Sequence, residues 1–152
     1  MKSTHFDDHG RARMVDINKK QDTYRTASAK STVRMKSETL DMIKKGLIGK
    51  GDVLATAQIA GIMSAKKTSD LIPLCHNIPL TGARIIFKLS EDSIDIESEI
   101  TTIGKTGAEM EALTAVSVTA LTIYDMCKSI DRDITIESVR LIKKAGGKSG
   151  LY

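Results

Sequence analysis

From Ala112 to Tyr124 the chain reads ALTAVSVTALTIY, without a single charged residue. Glu109 and Glu111 precede this run, and Asp125 and Lys128 follow it. The composition and length predict a helix of about 20 residues ending near Lys128. An uncharged middle requires most of the helix circumference to be buried, so the rest of the fold must be arranged to cover it. Aromatic residues are scarce: two Phe, three Tyr and no Trp in 152 residues. The core must therefore come from aliphatic and Met side chains, and burial between subunits would add to it.

Other segments supply the partners. Residues 1–13 are polar, carry two of the three histidines and show no period, so they are expected to form a flexible arm. A single domain then spans 14–152. Met14 to Met35 is rich in β-formers and reads as extended. Ser37 is placed to cap a helix over SETLDMIKKG, and Asp52 one over VLATAQIAGIMSAKK. LIPLCHNIPL at 71–80 holds both prolines and reads as a loop. ARIIFKLS and SIDIESEIT alternate as a hairpin, and DITIESVRLIKK alternates as a last strand before a glycine-rich basic tail. Thr106 and Glu109 have the spacing of a capping box. The order β-α-α-β-β-α-β implies an α+β fold, a ferredoxin-like antiparallel sheet with helices packed on one face.

Composition narrows the function. A formal charge of +4 spread along the chain fits an anionic small molecule, and no dense basic stripe marks a nucleic-acid binder. Two distant cysteines in apolar settings do not make a disulfide framework. No apolar run is long enough for a bilayer, and the first residues lack the core of a signal peptide. The expected partners therefore include neither nucleic acid nor membrane, and the expected location is the cytoplasm.

Three constellations bear on chemistry. Gly104-Lys105-Thr106 looks like the end of a phosphate-binding loop, but Glu99 stands where that motif needs glycine. What remains is a helix N-terminus beside a lysine, suited to some anion or simply to capping. Asp125 and Lys128 share a helix face. They are either a surface ion pair or an acid/base couple in which the carboxylate tunes a partly desolvated lysine toward neutrality. Spacing alone favours the ion pair. Cys75-His76 has no second ligand motif and makes a poor zinc site. It is a packed thiol beside a hydrogen-bonding histidine, or a substrate contact.

Taken together, MVDI at 14–17, SETL at 37–40, KGDVLATAQIAGI at 50–62, DLIPLCHNIPL at 70–80, GKTGAEMEALTAVSVTALTIYDMCKSID at 104–131 and the final GGKSG resemble the molybdenum cofactor biosynthesis protein C family. Asn77 and Ala145 depart from residues common there, Pro and Ser. The resemblance implies a lyase acting on a GTP-derived triphosphate whose ribose is already bonded to the purine. The product is cyclic pyranopterin monophosphate, and pyrophosphate leaves. It implies no resident cofactor and no protein-bound metal, with room for Mg²⁺ on the triphosphate. By position it makes Asp125 and Lys128 the catalytic pair, with His76 sharing proton transfers. Leu74, Cys75, His76, Met110 and Glu111 become substrate contacts, joined by Asp16, Arg25, Lys50, Lys144 and Lys148.

Helix geometry adds a constraint. Glu111 and Asp125 lie on one face but about 21 Å apart along the axis. Both correspond to substrate positions, so two such helices packed antiparallel would bring them together across a two-fold axis. The expectation is a homo-oligomer, a dimer or a multiple of it with sites at the dimer interface; the resemblance implies a hexamer, a trimer of dimers. Two rival readings are a nucleotide- or nucleic-acid-binding module and a non-catalytic assembly subunit.

Overall fold

The structure, a computed structural model, describes residues 5–147 and residue 150. Its elements are β1 (Thr23–Arg34), α1 (Ser37–Lys44), α2 (Val53–Lys66), α3 (Thr68–Leu71), β2 (Leu80–Leu89), β3 (Ser93–Gly104), α4 (Glu109–Cys127) and β4 (Thr135–Ala145). The sheet order is β2-β3-β1-β4, with every neighbouring pair antiparallel. Helix α4 lies on β1, β3 and β4, while α2 lies on β2 and alongside α4. This is the expected ferredoxin-like α+β arrangement.

The core is built from small residues brought close. Strand β1 turns Ala27, Ala29, Ser31 and Val33 inward, and β3 turns Ile94, Ile96, Ser98 and Ile100 inward. Against them α4 sets Ala112, Ala115, Val116, Ala120 and Ile123, all fully buried. Close approach of backbones replaces the missing aromatic bulk, because dispersion contacts depend on how many atoms meet at van der Waals distance. The two inward serines are satisfied by the same closeness: Ser98 donates to the Ala112 carbonyl at 2.8 Å and Ser31 to that of Val116 at 3.4 Å. Gly61 of α2 sits where any Cβ would collide with the Thr119 hydroxyl of α4, so the helix pair needs glycine there. The opposite face of the sheet is polar, with Lys30 and Thr32 both bound to Asp95.

Three local expectations shift and one holds. The extended segment becomes strand only from Thr23; residues 14–22 are irregular apart from a turn at 18–20, where the Lys20 amide donates to the Ile17 carbonyl. Ser37 is the first residue of α1 and caps nothing. The Lys36 amide instead donates to buried Asp131 at 2.8 Å, and the Thr39 hydroxyl to the same oxygen at 3.0 Å. Burial would push the Asp131 carboxyl up, but these hydrogen bonds outweigh it and hold it below the usual range. The Thr106–Glu109 capping box is not formed, because α4 starts at Glu109 and that carboxylate turns to Lys144. Asp52 does cap α2, accepting from the Ala55 amide at 3.0 Å.

Strand β4 alternates less simply than its sequence. Its pairing with β1 shifts twice, between Lys30/Thr32 and between Ser28/Ala29. Each bulge adds one residue to β4 and reverses which side chains face inward. Ile136, Leu141 and Lys144 therefore stand opposite Val33, Ala29 and Ala27 on the helix side. That register aims Lys144 at the start of α4.

The chain buries only part of α4. Leu121 remains 56% exposed, and Ile59 and Met63 on α2 are 58% and 52% exposed. The requirement for near-complete burial is thus unmet within one chain. Covering such side chains is worth roughly 1.5–3 kcal/mol each.

Candidate active site

The expected site residues fall into two groups at opposite ends of α4. At the N-terminal end, the loop after α3 meets the first turn of α4 around a cavity of about 360 Å³. Leu74, Cys75, His76, Met110 and Glu111 all line it. His76 Nε2 lies 2.6 Å from the Val15 carbonyl, so Nε2 carries the proton and donates. The Cys75 amide donates to the Ile72 carbonyl, and the Thr102 hydroxyl at 2.6 Å holds the Pro79 carbonyl. Prolines and these bonds hold the loop, so two segments distant in sequence share one wall.

Charge in this cavity is costly. Glu111 is 4% exposed. Burial pushes its carboxyl up; a hydrogen bond from its own amide opposes this, and the neighbouring Glu109 charge adds to the rise. Burial, with Glu111 nearby, also pushes the Cys75 thiol up. A raised thiol is a poor nucleophile, which supports a packing role for Cys75.

A second cavity of about 660 Å³ adjoins the first, sharing Lys20, Thr106, Gly107 and Glu109. Lys19, Lys20, Arg25, Lys105 and Lys144 line it, with Glu109 as its one carboxylate among the described residues. Arg25 is anchored by donating to the carbonyls of Gly104 (2.9 Å) and Lys105 (3.2 Å). Gly146 and Gly147 wrap around it at φ of 97° and 73°; a Cβ on Gly147 would strike the guanidinium. Glycine is required there by both dihedral and space. Lys144 donates to Glu109 at 3.0 Å. Five cations in a concavity suit a polyanion such as a phosphate chain.

At the C-terminal end of α4, Asp125 holds two ammonium groups. Lys128 Nζ lies 2.7 Å from Oδ1, and Lys50 Nζ lies 2.9 Å from Oδ2 and 2.8 Å from the Asp125 carbonyl. All three side chains are about half exposed. The hydrogen bonds and charge of Lys128, then of Lys50, lower the Asp125 carboxyl to about 2, and Asp125 raises Lys128. The expected tuning of lysine toward neutrality is therefore reversed in the single chain. Desolvation, the effect that would lower it, is weak at an exposed helix end and loses to ion pairing.

The chain thus unites Leu74–His76 with Met110–Glu111, Arg25 with Lys144, and Lys50 with Asp125 and Lys128. It does not bring Lys50 to Lys144, nor Asp125 to Glu111. Asp16 is exposed and lines neither cavity; its carboxylate caps its own turn by accepting from the Asn18 amide. Lys148 lies outside the described residues. Lys19, Lys20 and Glu109 carried no site expectation, and Lys105 only that of an anion contact beside a helix N-terminus. The Lys19-Lys20 pair and the Gly-Lys-Thr triplet were visible signals, but only the fold sets them on one cavity. Among the described residues no three His, Cys, Asp or Glu side chains gather as a metal site.

A family model described as the MoaC family matches residues 14–147. The cyclic pyranopterin monophosphate synthase of Peptoclostridium acidaminophilum is 57% identical, covering 100% of this chain and 97% of its own length. Its namesakes in Thermoanaerobacter sp. (strain X514) and Listeria monocytogenes are 58% and 56% identical, covering 100% and 98% of this chain and 98% and 94% of theirs.

Proposed function

The chain belongs to the MoaC family, and from that premise we propose that it is a cyclic pyranopterin monophosphate synthase in molybdenum cofactor biosynthesis. It is a lyase that converts (8S)-3′,8-cyclo-7,8-dihydroguanosine 5′-triphosphate to cyclic pyranopterin monophosphate and pyrophosphate. The observation that carries this reading is the paired groove: a small cavity with a buried carboxylate opens into a larger one walled by five cations. That pairing fits a heterocycle joined to a triphosphate.

The residues divide the work accordingly. Leu74 and Met110 flank the ring system, while Glu111 accepts from its N–H groups and His76 moves protons. Arg25 and Lys144, with Lys50 and Lys148, hold the phosphate chain and take up the charge that grows on departing pyrophosphate. Asp125 and Lys128 exchange protons as the purine opens and the pterin closes. Lys128 enters as an ammonium, a donor by charge, and becomes a base only when substrate displaces Asp125 and removes water. Mg²⁺ would travel with the triphosphate and needs no protein ligand. Asp16 orders the turn that carries Val15 and Ile17 to the first cavity.

One chain holds the two halves about 21 Å apart, so the working unit is a homo-oligomer in which α4 helices pair antiparallel. Exposed Leu121, Ile59 and Met63 are the surface such pairing would cover; three dimers make the hexamer. A nucleic-acid module is disfavoured because five cations converge on one cavity, a shape suited to a compact polyanion. The direct test incubates purified protein with the cyclised nucleotide and assays pyrophosphate and pterin. Formation of neither product overturns the reading.

A further inference from the structure

Glu109 is the odd member of the cation-lined cavity. Its carboxylate is the only one there among the described residues, it lines both cavities, and it accepts from Lys144 at 3.0 Å. It has abandoned helix capping for this contact. Gly107 lets it fold back, since a Cβ on Gly107 would collide with the carboxylate. Nearby, the buried Thr23 hydroxyl lines the same cavity without a hydrogen-bond partner among the described residues. An oxyanion that reached Thr23 and the five cations would compete with Glu109 for Lys144.

We propose that Glu109 is an internal anion that holds the place of a substrate phosphate in the free protein. It releases Lys144 when triphosphate binds and recaptures it as pyrophosphate leaves. This inference rests on the proposed synthase activity. A carboxylate carries less charge than a polyphosphate, so substrate wins the lysine. It remains close enough to win it back once the product is only loosely held. The device weakens product binding and so speeds release, at some cost in substrate affinity.

The test measures pyrophosphate binding by calorimetry in wild type, Glu109→Gln, Lys144→Ala and the double variant, each in the full chain. Glu109→Gln should bind pyrophosphate about fivefold more tightly, the scale of one partly exposed ion pair, and show correspondingly stronger product inhibition. Lys144→Ala should bind more weakly, and adding Glu109→Gln to it should bring no gain. Unchanged or weaker binding by Glu109→Gln overturns the proposal; a merely structural Glu109 would give lower Tm without tighter binding. Should that variant fail to fold, a wild-type crystal structure with pyrophosphate decides. The Lys144–Glu109 separation should exceed about 4 Å, and a retained contact beside bound pyrophosphate overturns the proposal. Absence of turnover in wild type would sink the synthase reading instead, so the two failures are distinguishable.

Discussion

The two ends of α4 each carry a carboxylate expected at the substrate, and the protein treats them oppositely. Glu111 is buried, without an ion pair among those described, and raised; Asp125 is exposed, doubly paired and lowered to about 2. Desolvation dominates at the first and ion pairing at the second. The N-terminal end is therefore a shaped cavity that destabilises its own charge, and the C-terminal end an exposed cluster of one carboxylate and two ammonium groups with one positive charge left over. Neither is a complete site for a ring joined to a triphosphate. The difference shows that helix ends of similar composition acquire opposite electrostatics from what packs around them.

The largest effect should come from the exposed end. Lys128→Ala and Asp125→Asn are each expected to lower turnover 10²- to 10⁴-fold, the range for lost acid/base groups, with little change in Tm because the pair is solvated. Steady-state assay of soluble, folded variants checks this, and near-normal rates would leave the cluster purely structural.

Joining the two ends across subunits is the next test. Glu111→Gln and Asp125→Asn proteins, inactive alone, should regain about a quarter of wild-type activity when unfolded and refolded as an equal mixture. Half the dimers would then be mixed, each with one intact site of two. Mixed oligomers without activity would break the shared-site arrangement.

Phosphate binding sharpens the comparison further. Lys144→Ala should weaken pyrophosphate binding about tenfold, the loss of one charge-assisted contact. A similar loss in Lys50→Ala would put both ends on one ligand. Unchanged affinity in both would remove the lysines from phosphate binding.

Stability should follow the opposed pKa shifts, with smaller effects. The folded Glu111 carboxyl is raised above its unfolded value, so its contribution falls as pH rises above about 4.3. At pH 7 the ionised form destabilises, and Glu111→Gln should raise Tm by roughly 2–4 °C. Calorimetric scans showing a lower Tm would mean that Glu111 has a partner in the assembly. Asp125 is lowered, so its stabilisation is present above about pH 4 and lost as pH falls toward 2. Asp125→Asn should flatten the acid limb of Tm between pH 4 and 2, and an unchanged limb would mean the ion pairs form only weakly in solution.

Much of this was legible in the residues. The uncharged run announced α4, alternation announced the hairpin β2–β3, and Asp52 announced the start of α2, because side-chain period and capping chemistry are local properties. The loop over 71–80 followed from its prolines. The resemblance of whole motifs marked Leu74–His76 and Met110–Glu111 as expected site segments, and both line one cavity. Other features were hidden because their causes lie far along the chain. Asp131 caps α1 from 95 residues away, and the Ser37 signal gave no hint of it. The capping-box spacing of Thr106 and Glu109 was real, yet Lys144, set opposite Ala27 by the register of β4 on β1, claimed the carboxylate.

What the sequence determined by itself is the set of elements apart from short α3, the α+β class and the family, since each is written in short-range pattern or in strings of matched residues. Only tertiary structure decided how charge behaves. Whether a carboxylate is raised or lowered depends on solvent exclusion and on cations within about 4 Å, and those come from strands and loops that meet only when the sheet closes. The five-cation cavity is the clearest case. Its lysines are scattered from position 19 to 144, and no local pattern could tell that chain reversal and register would turn them toward one volume.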